Sequence, residues 1–247
     1  MVKKNSIQER NADYEVTENI TNKLPRDKSA TNKDTKGLQG ANSASLPIER
    51  HPFEPFLPQN AKVLFLGSFP PQEKRWSMKF YYPNYTNDFW YMIGLLWFDD
   101  KRYFTIPEEK RFNLEKITDF CRTTGFAMYD TATEIRRLMD NASDKFLEVV
   151  TPTDIPLLLS KLPHCEVIVT TGQKSTETLV ETFGCEKPAM GEYVEVSLPV
   201  KDEKGNAKTS RKYKLYRLPS TSRAYPLKLE KKAAAYKQMF EVIGYLK

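Results

Sequence analysis

The sequence is poor in cysteine and histidine, the residues that build disulfide frameworks and most transition-metal sites. Its cysteines are Cys121, Cys165 and Cys185, far apart in 247 residues, and its histidines are His51 and His164. Widely spaced cysteines in an odd number exclude a disulfide framework and a four-cysteine iron–sulfur or zinc cluster. So few histidines leave little for a histidine-based metal centre. We therefore expect small buried cysteines, and neither a metal nor another cofactor.

Long apolar runs are also missing. No run approaches the ~18 residues that a membrane-spanning helix requires, and residues 1–6 carry no apolar signal segment. These absences predict a cytoplasmic protein without membrane contact. Residues 1–46 hold few large apolar side chains among many polar ones, so we expect a disordered polar tail there. A single domain then occupies residues 47–247.

Positive charge is present in excess. The chain has 38 Lys and Arg residues against 32 Asp and Glu residues, a formal charge of +6 and a pI of about 9.0. Such an excess favours a polyanionic partner. Soluble surfaces also often carry additional lysine, so the charge alone leaves open a nucleic-acid ligand and a merely solvated surface.

Apolar strand patterns alternate with helical ones along the domain. Strands are predicted over residues 62–68, 126–129 and 167–170, with a hairpin over 193–200 and 211–217 and an extended lead-in over 47–58. Helices are predicted over residues 88–96, 113–124, 131–139, 153–162 (capped by Thr151 or Thr153), 174–183 and 227–246. This alternation favours an α/β domain with a mostly parallel sheet.

The most informative segment begins where the first predicted strand ends, in the Gly-Ser-Phe-Pro-Pro of residues 67–71. Ligands of open α/β sheets bind at the carboxyl ends of strands. The nearby rings of Tyr81 and Tyr82 can replace the stacking that an extruded base loses, worth ~1–3 kcal/mol, or they can simply cover the core. The carboxamide of Asn87 can bond a base edge or hold a water, or it can cap the next helix.

Other loops also follow predicted strands. Residues 170–174 lead into a helix whose free N–H groups favour a phosphate or a carbonyl, unless they form an ordinary joint. The hydroxyls of residues 220–222 can bond phosphates, and residues 223–225 can fill the gap left by an extruded base, or the run can start a helix. Asp130 and the polar segment 140–144 can position a water, although such residues more often cap helices.

Together, residues 66–71, 82–90, 171–174 and 218–222 resemble the motifs of the uracil-DNA glycosylase superfamily, and the likeness spans roughly residues 52–246. The sequence is most similar to the hypoxanthine and mismatch-type branches. The resemblance implies a three-layer α/β/α domain with a central, mostly parallel four-stranded sheet, to which the predicted C-terminal β-hairpin is added. It also implies a monofunctional DNA glycosylase that flips out a deaminated base, uracil or hypoxanthine, and hydrolyses its N-glycosidic bond with an activated water.

The resemblance assigns site residues by position. It implies that Asn87, which precedes x-Phe-Trp, is the catalytic residue. It implies that the base is bound by Gly67, Ser68, Phe69, Tyr82 and Thr171. It implies that the DNA is bound by Lys174, Ser220, Thr221, Ser222, Arg223 and Tyr225. The expected partner is DNA that contains a damaged base, and we expect a monomer.

Three positions depart from the superfamily pattern. Phe69 stands where many members carry an Asn or Asp that activates water, and Leu218 stands where strong uracil enzymes carry His. Thr171 stands where a base-reading Asn is common. A lesion-binding protein that has lost catalysis, and a hydrolase of nucleosides or nucleotides, are therefore alternatives.

Overall fold

The computed structural model describes residues 45–139, 144–202 and 204–246, so the predicted tail over residues 1–46 lies almost wholly outside the described residues. The strands are, in chain order, β1 (Ile48–Arg50), β2 (Val63–Gly67), β3 (Thr105–Ile106), β4 (Arg111–Phe112), β5 (Phe126–Asp130), β6 (Ala132–Arg137), β7 (Leu147–Pro152), β8 (Val167–Thr170), β9 (Tyr193–Lys201) and β10 (Ala207–Arg217). The helices are α1 (Phe89–Phe98), α2 (Leu114–Thr124), α3 (Ile155–Ser160), α4 (Gln173–Phe183) and α5 (Leu229–Val242).

A five-stranded sheet with the order β5-β2-β8-β10-β9 forms the centre of the domain. Neighbours among the first four strands are parallel, and β9 joins the edge antiparallel to β10. The predicted mixed α/β architecture with a mostly parallel sheet is confirmed. The division into a four-stranded sheet and a separate hairpin is corrected, because β10 pairs with both β8 and β9 and so makes the hairpin part of the same sheet.

The central strands are short apolar runs that are buried on both faces, as parallel strands between helices must be. Phe65 of β2 contacts Phe89 of α1, and Phe126 of β5 contacts Phe120 of α2 and Phe240 of α5. Helix α3 contacts β9, and α4 contacts β8. The carboxyl ends of β2, β5, β8 and β10 consequently lie along one edge of the sheet, where the loops that follow them meet.

The predicted helix over residues 131–139 is wrong. This segment contains β6, which pairs antiparallel with β1 and β7 in a separate three-stranded sheet. Its fully buried side chains, Ala132 and Ile135, are three residues apart, a spacing that suits a helix as well as this strand with its register shifts. The partner strands decide the outcome, and neither β1 nor β7 was predicted as a strand.

The helix predicted over residues 153–162 is shorter, and its cap is Asp154 rather than Thr151 or Thr153. The Asp154 carboxylate accepts an amide hydrogen bond from the first turn of α3 at 3.0 Å. The Thr153 hydroxyl donates instead to the backbone oxygen of Asp130 at 2.8 Å. Local sequence favoured Thr153 as a cap, but in the structure its hydroxyl is used in a tertiary hydrogen bond instead.

The other predicted helices are present with small shifts at their ends. Asn113 caps α2 by accepting a hydrogen bond from a first-turn amide at 3.1 Å, and Gly125 ends this helix with a φ of 72°. Helix α5 is shorter at both ends than the predicted 227–246. Within the described ranges, no helix combines the length and apolarity needed to cross a membrane.

Candidate functional site

A cavity of about 110 Å³ opens at the carboxyl edge of the central sheet. The ends of β2 and β5, the segment between β2 and α1, and the loops after β8 and β10 all contribute to its wall. The predicted site residues that line it are Gly67, Ser68, Phe69, Tyr82, Asn87, Thr171, Ser220, Thr221 and Ser222. Segments that are distant in the chain thus meet around one space. Lys174, Arg223 and Tyr225 lie outside this lining.

The Tyr82 ring forms a fixed, flat part of the cavity wall. One face stacks on Phe89, with 3.9 Å between ring centres and 8° between planes, and the hydroxyl shares a hydrogen bond with Thr171 Oγ1 at 2.9 Å. The backbone of Tyr82 has a φ of 53°, a left-handed conformation that costs a residue with a side chain ~1–3 kcal/mol. Burial raises the pKa of the Tyr82 hydroxyl far above its usual range, so the ring stays neutral. One face is covered, and the opposite face is the one that a flat ligand can use.

The side chain of Asn87 makes a capping contact. Its Oδ1 accepts a hydrogen bond from the Phe89 amide, the first of α1, at 2.9 Å. The Nδ2 group makes no hydrogen bond with another residue of the described ranges and remains a donor at the cavity wall. The two roles weighed from the sequence thus fall on different atoms, because the oxygen caps the helix while the amino group is available to a ligand.

A carboxylate that sequence analysis weighed mainly as a cap also lines the cavity. Asp130, at the end of β5, lies opposite Gly67 of β2, and its Oδ2 pairs with His51 Nε2 at 2.9 Å. His51 Nδ1 lies 2.9 Å from the backbone oxygen of Phe53. A Cβ on Gly67 would collide with Asp130 Oδ1, so glycine is needed for the two strands to carry this carboxylate. Asp130 is therefore a buried, oriented acceptor at the cavity.

A second carboxylate, Asp144, enters the same cavity from the short 3₁₀ helix before β7. The Ser68 hydroxyl donates a hydrogen bond to it, and the positive charges of Arg137 and Lys174 lie nearby. Burial, together with the negative charge of Asp130, nevertheless raises the pKa of Asp144 to about 6. Sequence analysis named Asp144 only within the polar segment 140–144, and residues 140–143 lie outside the described ranges.

A buried ion pair, which sequence analysis missed, ties the two principal loops together. Lys232 of α5 is fully buried, and its Nζ donates to Asp88 Oδ2 at 2.8 Å and to the backbone oxygen of Ser222 at 2.7 Å. The Asp88 amide donates to the backbone oxygen of Thr221 at 2.9 Å. The start of α1 and the loop after β10 are consequently held as one unit.

The pattern that could have identified Lys232 is its position on the helix. It precedes the buried residues Tyr236 and Phe240 by four and eight positions, so it lies on the apolar face of α5. Composition alone does not distinguish Lys232 from its neighbour Lys231, which is exposed. A lysine on a buried face requires a partner, and that requirement could have been stated from the sequence.

The loop after β10 is built from hydroxyl-to-backbone turns. Ser220 Oγ accepts a hydrogen bond from the Ser222 amide at 3.2 Å, and Ser222 Oγ accepts one from the Ala224 amide at 3.3 Å. Each hydroxyl keeps its own proton for donation, so both serines can bind an anionic oxygen. Tyr236 donates its hydroxyl to the backbone oxygen of Pro219 at 3.0 Å and supports this loop from below.

Beside the cavity runs a cleft rich in positive charge, which we name the basic cleft. It shares Asp88 with the loop junction and also contains Glu230. Its cationic lining residues are Lys101, Arg102, Lys110, Arg223 and Lys228. Arg223 is thus placed in this cleft, with its Nη2 3.4 Å from Asp88 Oδ1, and Tyr225 lies with its ring 5.9 Å from Lys232 Nζ.

Neither metal-ligand groups nor reactive thiols mark the site. Among the residues that the structure describes, no group of three or more His, Cys, Asp or Glu side chains is arranged to hold a metal ion. Cys121 and Cys165 are buried as predicted, whereas Cys185 is only half-buried. Burial raises the pKa of the Cys165 thiol to about 12, so it remains protonated.

Comparison with known proteins gives a distant structural likeness. No protein-family model matches the sequence, and no curated protein matches it. The chain is similar to a solution NMR structure of a protein from Methanosarcina acetivorans that is provisionally named a uracil DNA glycosylase, with 20% sequence identity and a TM-score of 0.49. The alignment covers 79% of this chain and 99% of that one.

Proposed function

We propose that this protein is a monofunctional DNA glycosylase that hydrolyses the N-glycosidic bond of a deaminated base, uracil or hypoxanthine, flipped out of DNA. One observation carries the proposal. The segment before α1, with Tyr82 and Asn87, and the loop after β10, with Ser220, line a single cavity. A stacking ring, an amide donor and phosphate-binding hydroxyls around one space are what an everted nucleotide requires.

The cavity can bind a base by its face and its edge. The Tyr82 ring lines the cavity and can stack on a base with the face that Phe89 does not cover, and Asn87 Nδ2 can donate to a base carbonyl. The Asp130 carboxylate can accept the ring N–H that uracil and hypoxanthine share beside a carbonyl group. The Ser220 and Ser222 hydroxyls can bind the flanking phosphates.

The reaction needs positioning more than strong acid–base groups. As the bond from C1′ to the base nitrogen breaks, negative charge develops on the base and positive charge on the sugar. DNA phosphates lie close to the sugar and stabilise its charge, while fixed donors in a buried site stabilise the base. A neutral Asn87 can orient groups in such a site, but it cannot deprotonate water.

A panel of lesion duplexes tests the proposal. The protein is incubated with duplexes that each carry one uracil, hypoxanthine or xanthine, and alkali then cuts any abasic strand. We expect nicking of at least one lesion duplex and none of the matched undamaged duplex. No nicking of any lesion strand would contradict the proposal.

A lesion-binding protein without catalysis is the second candidate. The Phe69 ring packs with Ala132, Ile135 and Leu147 in a small apolar cluster, so the side chain at this position cannot activate water. Such a protein would bind lesion duplexes in a salt-dependent way and release no base. Repeated base release by each protein molecule would exclude this candidate.

A further inference from the structure

We propose that Asp144 is the general base of the hydrolysis, which accepts a proton from the water that attacks C1′ of the flipped nucleotide. The assignment rests on the proposed function and identifies the group that activates water within the same cavity. The resemblance implied Asn87 as the catalytic residue, but the contacts of the cavity oxygens favour Asp144.

The alternative acceptors in the cavity already have other roles. Asn87 Oδ1 accepts the Phe89 amide hydrogen bond, and losing that contact would uncap α1. Asp130 Oδ2 pairs with His51, and its carboxylate is the group that we assign to the ring N–H of the base. The Phe69 side chain carries no polar atom. Asp144 is the remaining carboxylate among the described residues of the cavity lining.

The surroundings of Asp144 suit proton transfer. Four elements contribute the groups that face it: the Ser68 hydroxyl after β2, the Asp130 carboxylate of β5, the Arg137 guanidinium of β6 and the Lys174 ammonium of α4. The hydroxyl fixes one carboxylate oxygen by donating to it. The other oxygen can then accept from a water in the cavity. The positive charges of Arg137 and Lys174 lower the pKa of Asp144 and so oppose the effect of the Asp130 charge.

Burial raises the pKa of Asp144 to about 6, which places its titration within the range where enzymes operate. Above that pH the group is a carboxylate and can accept a proton. Below it the group is protonated and cannot. The predicted excision rate therefore rises with pH and levels off above neutrality.

The water oxygen forms a bond to C1′ while the bond from C1′ to the base nitrogen breaks, and the electron pair of that bond leaves with the base. One water proton moves to Asp144, and the other stays on the new C1′ hydroxyl. The departing base anion takes a proton from solvent, and Asp144 returns its proton to solvent.

Single-turnover excision from a saturating lesion duplex between pH 5 and 8.5 tests the assignment. We expect the wild-type rate to rise to half its maximum near pH 6. Asp144→Asn keeps the size and polarity of the side chain, and we expect it to lower the plateau at least ~100-fold and to remove the rise. The matched control is Asp119→Asn, an exposed carboxylate of α2 that pairs with Arg122, and it should match the wild type.

Ser68→Ala gives an independent readout. The Ser68 hydroxyl lowers the pKa of Asp144, so its removal should move the midpoint of the pH profile to higher pH. Unfolding temperature and lesion-duplex affinity are measured for each variant to separate catalysis from folding and binding.

The experiments separate an error in the role of Asp144 from an error in the proposed function. The role of Asp144 alone would be overturned if Asp144→Asn excised the base at a rate within fivefold of wild type. It would also be overturned if the wild-type rate stayed flat or fell from pH 5 to 8. A wild-type protein that releases no base from any duplex would overturn the proposed function, and this assignment with it.

Discussion

Asn87 has two polar atoms with different partners, and one substitution can separate them. Asp at position 87 keeps an oxygen that caps α1 and loses the amino donor, whereas Ala loses both. We expect Asn87→Asp to keep the unfolding free energy within ~0.5 kcal/mol and Asn87→Ala to lose ~1 kcal/mol, because only Ala removes the cap. Urea unfolding of the variants measures this difference.

Excision assays give the functional half of the same comparison. Both substitutions remove the donor that we assign to the base, so both should slow single-turnover excision ~100-fold on a saturating duplex. If Asn87→Asp cleaves at the wild-type rate, Asn87 is a helix cap and nothing more.

The buried carboxyl of Asp144 should also affect stability. Its pKa is raised to about 6 in the folded protein from an ordinary value of 3.8, so the folded state binds more protons between these values. Wild-type stability should therefore fall as pH rises through this interval, and Asp144→Asn should remove that loss. We expect the variant to match wild type near pH 3.5 and to be more stable by ~3 kcal/mol at pH 8, as measured by urea unfolding. Equal stability at both pH values would contradict burial of the charged form.

At the scale of elements, α5 holds the site together from outside it. Lys232 stabilises the charge of Asp88 and the turn at Ser222 at once. Replacing it with Met leaves a buried carboxylate whose other cation, the exposed Arg223, is 3.4 Å away. We expect Lys232→Met to lose ~3 kcal/mol of unfolding free energy. Removing one partner of a buried ion pair leaves the other charge buried without compensation, which is more destabilising than removing both charges.

A double variant and a neighbouring lysine test that explanation. Asp88→Asn with Lys232→Met removes both charges and should recover at least half of the lost stability. Lys231→Met changes the exposed neighbour on the same helix and should leave stability within ~0.5 kcal/mol. A double variant no more stable than Lys232→Met would contradict a charge-based cost.

Elements with complete local patterns were predictable from the sequence. The strands β2 and β8 are apolar runs, and α2 has Asn113 and Gly125 at its ends. Strand β6 was not, because its buried positions fit a helix and its partners are distant in sequence. The hairpin was recognised, but its place in the central sheet depends on the pairing of β10 with β8, which has no local pattern.

Site residues were predictable from the sequence only where they belong to contiguous motifs. Tyr82, Asn87 and Ser220 belong to contiguous motifs and were identified. His51, Asp144 and Lys232 act through partners far away in the chain, and no local pattern specified those pairings.

At the scale of the whole molecule, positive charge is concentrated in the basic cleft, which under the proposed function would contact a DNA strand. The basic cleft adjoins the start of α1 and the loop after β10, where a strand that enters the cavity would continue. Lysine and arginine side chains that contact phosphates make binding depend on salt, with a slope of about 0.9 for each phosphate neutralised. Removing cations inside and outside the basic cleft can therefore show whether the position of the charge or only the total charge governs DNA binding.

Neutralising two cations of the basic cleft should weaken DNA binding without changing which base is released. We expect Arg102→Ala with Lys110→Ala to reduce the salt slope of duplex binding by about 2 and to leave saturated single-turnover excision within ~3-fold of wild type. Titrations at several salt concentrations measure the slope. The control, Lys212→Ala with Lys237→Ala, removes two exposed lysines outside the cleft. An equal loss of slope in the control would show that only total charge matters.

The pairing of His51 with Asp130 sets a limit on how far the protein can be trimmed. His51 follows β1, in the stretch that leads into the domain, yet its ring supplies the buried partner of a cavity carboxylate. Proteolysis before residue 45 would leave that ring in place. A cut between His51 and β2 would release the imidazole and leave Asp130 without its counterpart, although every strand of the central sheet would remain intact. On the proposed function, the N-terminal border of the active protein therefore lies ahead of His51, well before the first strand of the central sheet.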